Sequence, residues 1–342
     1  MDKENIIISP RTLITFLALI VLILFIYQIR DVLLLLFASF VIASALFPLV
    51  DWMSKKIPRG LAVLIVYLVG LIALITLLVP FVTVIISQFQ DFLMKMPVYS
   101  ELLSDFTQNI KILATSSGFA PDYSEIIKNM ATFGQNIVEQ SINFTINVFA
   151  GLATAFTLSV IVLFVLLDKK VLKEGYLKIF PPKYREKAKN ITGIISGKVG
   201  GYVRGQIILM LLVGLLTAAG LKLIGLEFAL LLGIIAGILE IIPIAGPVLA
   251  TVPGVIVALA QDPMLALWAL LVYIIVQRLE NHILTPMILG KFLELHPLII
   301  IVAILTAGSA LGIVGVILSP AIAAAIYVLA QELYIKKLEE QA

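Results

Sequence analysis

The chain has 342 residues, of which 61% are hydrophobic and 13% charged, with a formal net charge of +3. Soluble domains run at about 45–50% apolar and about 25% charged, so this composition excludes a water-soluble globular fold. There is no cysteine and there are only two histidines, which excludes disulfides and thiolate metal centres and leaves too few ligands for a typical His-based metal site.

Uncharged apolar runs of about 18 residues or more read as bilayer spans, whereas a β-barrel would show short alternating segments. The mean hydropathy of +1.12 therefore points to an all-α integral membrane protein with about eight membrane segments. A first run at 12–29 follows Lys3 and Arg11. No small-x-small cleavage pattern follows it, so the expectation is an uncleaved span. Arg30 and Asp31 lead directly into a second run at 32–50, and the polar stretch 51–60 carries Lys55, Lys56 and Arg59. A third run at 61–86, with Pro80 near its end, is longer than a bilayer needs, so tilt, a kink or a protruding end is expected. Residues 1–86 thus form an N-terminal scaffold of three spans.

Between 87 and 145 apolar residues recur at spacings of three and four, as in Phe89, Phe92, Leu93 and Met96, or Ile126, Met130, Phe133 and Ile137. The pattern predicts an extramembrane unit of amphipathic helices broken near Gly118 and Pro121. A fourth span is expected at 146–167. Residues 168–205 form a basic loop and helix with ten Lys/Arg against three Asp/Glu; anionic headgroups attract such segments, and nucleic acid is not implied. Excess Lys and Arg mark cytoplasmic segments. The 51–60 and 168–205 stretches are therefore placed inside, and the 87–145 unit is placed outside. Both termini are expected in the cytoplasm, the tail 332–342 through Lys336 and Lys337.

The remainder, 206–331, is irregular. Segment 228–260 is split by Pro243, Gly246 and Pro247, and segment 297–329 is interrupted between Gly308 and Gly312. The halves of the first segment are short for a crossing, so two re-entrant hairpins fit; two full crossings per segment would preserve the same sidedness. Paired Gly/Pro-broken segments point to the binding region of a secondary transporter.

An ionisable group in hydrocarbon costs on the order of 2.5–3.5 kcal/mol on insertion scales, so it marks a functional site or a local structural need. Glu240 lies in an otherwise uncharged stretch three residues before Pro243. It could bind a cation or proton, polarise a substrate hydroxyl, or cap backbone groups freed at the break. Gln277, Glu280, Asn281 and Thr285 fall on one helix face at spacings of three and four. They could line a pathway or mark a helix end entering water. His282, alone beside them, reads as interfacial. Gly193, Gly197, Gly201 and Gly205 recur every fourth residue and bare a face for close helix packing.

There is no G-x4-G-K-[ST] motif for ATP, no H-E-x-x-H, no Arg ladder, and Ser309 lies outside a G-x-S-x-G elbow. No enzyme activity, metal or cofactor is expected.

The run Leu239-Glu240-Ile241-Ile242-Pro243-Ile244-Ala245-Gly246-Pro247 resembles the hallmark of the autoinducer-2 exporter family, the PerM-like permeases. So do Gln277-x2-Glu280-Asn281-x3-Thr285-Pro286, Leu295-His296-Pro297-Leu298, Pro58-Arg59-Gly60-Leu61-Ala62 and Gly201-Tyr202-Val203-Arg204-Gly205-Gln206. The resemblance covers nearly the whole chain. It implies a secondary transporter of a prokaryotic plasma membrane, exporting a small polar solute or signalling molecule or exchanging sodium or lithium for protons. It also implies a homo-oligomer, a pentamer, and an elevator-like motion. A non-transporting scaffold or accessory subunit is the alternative from a different class.

Overall fold

The computed structural model describes residues 10–70, 72, 94, 141–243, 245–290, 292 and 295–336. Every element among them is helical. Helix α1 is Pro10–Gln28, α2 Arg30–Met53 and α3 Arg59–Gly70; α4 is Ser141–Leu167 and α5 Lys169–Ile179. Four helical stretches are long and apolar enough to cross a bilayer: Arg30–Met53, Pro182–Leu223, Pro263–Leu289 and Pro297–Ile335. The rest of the expected third span and nearly all of the 87–145 unit lie outside the described residues.

Helices α2, α3 and α4 pack through Ala43, Val50, Ala62, Val63, Val162 and Leu166. Small and β-branched side chains there let the helices approach closely. A charged clasp closes one end of this group. Arg59 Nη1 donates to Asp51 Oδ1 at 2.9 Å, and Arg59 Nε donates to the Leu166 carbonyl at 2.7 Å. Lys169 pairs with the second Asp51 oxygen and lies 4.2 Å from the centre of the Phe47 ring. Arg59 thus caps a carbonyl that α4 leaves free at its C-terminus. Arg59→Ala is expected to lower the stability of the detergent-solubilised protein by about 1–2 kcal/mol, read as an earlier thermal unfolding transition, with Arg59→Lys recovering only part of the loss.

Helix α6, Pro182–Leu223, is one unbroken helix of 42 residues. Its length of about 63 Å is twice a hydrocarbon core, so the basic segment from Pro182 onward and the fifth span expected to start at Gln206 are parts of one rod. No Pro occurs after Pro182, and Gly201 and Gly205 are tolerated because neighbouring helices pack on them. Pro48 has no N–H to bond the Ser44 carbonyl. Arg204 Nη1 reaches that carbonyl at 3.4 Å and the Ala45 carbonyl at 2.9 Å. A Cβ on Gly200 would collide with the same stretch of backbone, so bare glycine and a capping guanidinium together join α6 to α2.

A turn closes α6. Leu226 N–H donates to the Leu221 carbonyl at 3.0 Å, and Gly225 takes φ +78°, the left-handed conformation that glycine adopts without a Cβ clash. Segment 228–260 then folds as two helices, α7 Ala229–Leu239 and α8 Ala245–Gln261. The expected break at 243–247 lies between them and at the start of α8. Helix α9, Pro263–Leu279, begins at an Asp262 cap whose Oδ1 accepts from Met264 N–H at 2.6 Å. It runs into a wide turn, Glu280–Leu284, and then α10, Thr285–Leu289. The wide turn fits Pro286, whose ring cannot sit against a carbonyl four residues back.

Helix α11, Pro297–Ala330, is interrupted at Gly312 (φ 64°, ψ −152°). Val316 lies 2.9 Å from where a Cβ on Gly308 would sit. In a straight helix those residues would be about 12 Å apart along the axis, so the chain turns sharply at the interruption expected between Gly308 and Gly312. The second arm packs on α2 and α6 through Leu318, Ala321 and Ala324 against Val41 and Val199.

Candidate functional site

The site sits where α6, α7, α8 and α9 meet. Glycines set the first contact. A Cβ on Gly237 would lie 2.6 Å from the Met210 carbonyl and 3.2 Å from Gly214 Cα; one on Gly233 would lie 2.6 Å from the Gly214 carbonyl. The Gly233-x3-Gly237 motif is therefore the seam along which α7 lies on α6. That seam brings the end of α7, and with it Glu240, against the middle of α6.

Glu240 is 4% exposed and Glu280 7%. Both line the same small cavity. Two bare carboxylates lining one buried cavity would repel, so a shared proton or a cation would stabilise the pair. Glu240 comes from the break after α7, and Glu280 from the wide turn after α9, so each carboxyl is carried by an irregular piece of backbone. Gln206 holds the first in place: its Nε2 donates to the Glu240 main-chain carbonyl at 2.7 Å.

A narrow cavity of about 10 Å³ adjoins the pair, room for about one water or one bare monovalent ion. Val213 and Thr217 of α6, Ala236 of α7 with Glu240 just after it, Pro247 and Ala250 of α8, and Tyr273 and Gln277 of α9 with Glu280 just after it line it. Thr217 Oγ1, Tyr273 Oη and Glu240 Oε2 are buried and have no hydrogen-bond partner among the described residues. Three such atoms on one cavity constitute a polar demand that a ligand or water would meet. Tyr273 is seated by Gly254, where a Cβ would strike its ring.

The structure thus brings Glu240, Gln277, Glu280 and Pro247 together. Asn281 is exposed and Thr285 half-buried, and neither lines the cavity. The buried face of α9 is centred on Tyr273, Val276 and Glu280, and Asn281 is about 100° further round. His282 is exposed, with Nδ1 3.0 Å from the Arg278 carbonyl. Gly246 packs its Cα against the Leu239 carbonyl and closes the break after α7, while Pro243 lies within that break. Gly308 and Gly312 shape the second break, away from this cavity. Of the four-residue glycine series, Gly201 faces Phe292 and Gly205 faces Leu289, while a Cβ on Gly193 or Gly197 would meet nothing within 4 Å.

Thr217 and Tyr273 escaped the sequence reading. Hydroxyl residues are ordinary in membrane helices, and only their convergence on Glu240 distinguishes them. Gln206 carried a weak signal, as the first polar residue of an apolar run.

Comparison with known proteins adds the context. The pattern describing the AI-2E family transporter matches residues 15–335. A Bacillus subtilis (strain 168) protein named "Putative transport protein YueF" is 35% identical over 305 residues, covering 83% of this chain and 80% of that protein. "Putative transport protein YrrI" of the same organism is 26% identical, covering 85% and 83%. "Putative permease PerM" of Escherichia coli (strain K12) is 26% identical, covering 82% of each.

Proposed function

The chain belongs to the AI-2E transporter family, and from that premise we propose that it is a secondary active transporter whose substrate path passes Glu240 and Glu280. The observation that carries this reading is the buried carboxyl pair beside unpartnered hydroxyls, each carboxyl on a broken or widened helix. Broken helices present backbone groups and side chains to a solute in the bilayer. Hydrogen-bonding groups within hydrocarbon are costly without such a use.

In this reading the protein lies in a prokaryotic plasma membrane with both termini in the cytoplasm. It exports a small polar solute or signalling molecule. The segments 228–260 and 297–329 are re-entrant hairpins of a moving unit that contains α7 to α11. The N-terminal spans and a homo-oligomeric, pentameric arrangement form the static frame, and the motion is elevator-like.

The oxygens of Thr217, Tyr273, Glu240 and Glu280 on the cavity, together with its size, favour a second reading within transport, exchange of a monovalent cation for a proton. Hard cations take oxygen ligands, and a proton shared by two carboxyls is the natural counter-species. The test is purified protein in liposomes, screened against small polar solutes under imposed proton and sodium gradients. Gradient-dependent, saturable uptake of an organic solute is the expected result. A change in lumen pH on adding sodium or lithium, with no organic flux, selects the exchange reading. No flux of any solute or ion, with a stoichiometric partner co-purifying, selects an accessory role.

A further inference from the structure

We propose that the arm running from Glu280 to Phe292 is a latch. Phe292 seats in a recess on α6 made by Gly201, and its withdrawal carries Glu280 away from Glu240. The proposal rests on the transport reading for its purpose, though not for its geometry.

A Cβ on Gly201 would lie 2.7 Å from Phe292 Cγ and closer still to the ring's Cδ1 and Cε1. One turn on, the Leu289 and Ile288 side chains occupy the space that a Cβ on Gly205 would need, and Leu289 is buried. The two glycines are therefore receptors for the arm's apolar side chains. Gln206, the next residue of α6, holds the Glu240 carbonyl at 2.7 Å. Residues 201–206 of one helix thus grip both partners: Glu240 through Gln206, and the arm bearing Glu280 through Gly201 and Gly205. The two carboxyls meet because both carriers are docked on the same six residues.

The arm is built to move as a piece. The wide turn at Glu280–Leu284 joins it to α9 and closes with a bond of the wider pattern, Thr285 N–H to the Glu280 carbonyl. Such turns are rare and occur mostly as single-turn bulges inside helices, frequently at functional sites. At its far end Phe292 N–H donates to the Leu289 carbonyl at 2.8 Å, and Gly290 N–H to the Pro286 carbonyl at 3.2 Å, so the tip is stiffened upon itself. Phe292 is a positioning residue that acts through Glu280.

The chain has no cysteine, so one introduced thiol reports without background. Ala236 is buried and lines the cavity. Ala236→Cys is expected to react slowly with a small charged methanethiosulfonate. Adding Phe292→Ala is expected to raise that rate tenfold or more, while Phe292→Tyr, which keeps the ring, stays near the parent. A rate within twofold of the parent in a Phe292→Ala protein of unchanged thermal transition overturns the latch.

If Phe292→Ala does not fold, a pair of thiols gives the answer. The 2.7 Å approach puts the two Cβ positions within about 4.2 Å, inside the disulfide range. Gly201→Cys with Phe292→Cys is expected to crosslink on oxidation, to stop flux, and to regain it on reduction. Failure to crosslink, or parent-level flux after complete crosslinking, overturns the proposal. Labelling needs no substrate, so a parent that transports nothing while the thiol at 236 responds to Phe292→Ala refutes the transport reading and leaves the latch standing.

Discussion

Glu240→Gln, reconstituted in liposomes, is expected to lose at least about tenfold, and up to about a hundredfold, of the parent flux while keeping the parent's elution profile and thermal transition. The size follows from what the amide removes. A hydrogen bond to a charged group is worth about 1.5–3 kcal/mol, and each 1.4 kcal/mol is tenfold in rate or binding. The fold should survive because Gln206 grips the main-chain carbonyl of Glu240, which the substitution leaves in place. Glutamine also has the same shape, so α7 need not leave its seat on α6. A carboxylate that merely capped the break would give the opposite pattern, with stability falling and flux per folded molecule unchanged.

Gly237→Leu is expected to have a large structural effect at the site. The Met210 carbonyl lies 2.6 Å from the first carbon such a side chain would add, and Gly214 Cα lies 3.2 Å away. Both are main-chain atoms of α6 and cannot rotate aside, so the two helices must separate. Overpacking usually costs about 1–3 kcal/mol; here the clash is with backbone, and the upper end or beyond is expected. The measurement is the thermal transition in detergent, with flux lost in parallel because Glu240 moves with α7. Gly193→Ala is the internal control. A Cβ there meets nothing among the described residues, and alanine favours helix by about 0.8–1.0 kcal/mol over glycine. It should leave the transition unchanged or raise it.

Much of the fold could be read from the chain because its signals are chemical. Long apolar runs have few homes outside a bilayer, and the breaks at 243–247 and 308–312 announce themselves through Pro and Gly. Glu240 stood out since charge in hydrocarbon is costly, and Glu280 as a member of the polar stripe that continues an apolar span. The rest depends on three-dimensional placement. The continuity of α6 was hidden because its polar-to-apolar change at about residue 206 looks like a boundary when no breaker marks its absence. The glycine series at every fourth residue drew attention to Gly193 and Gly197, whereas Gly200 and Gly214, off that series, make the tightest backbone contacts with α2 and α7. Spacing shows which residues share a face, but not which neighbour arrives there. Asn281 and Thr285 share a stripe with Gln277 in sequence, yet the cavity ends at Glu280.

The central claim is that Glu240 and Glu280 act as one unit. A double-mutant cycle on flux tests it directly, using Glu240→Gln, Glu280→Gln and the pair together in liposomes of equal protein content. The account predicts that each single substitution removes most of the flux and that the double variant loses little more than either, since each breaks the same carboxyl pair. Losses that multiply in the double variant, or parent-level flux in either single variant, would contradict it.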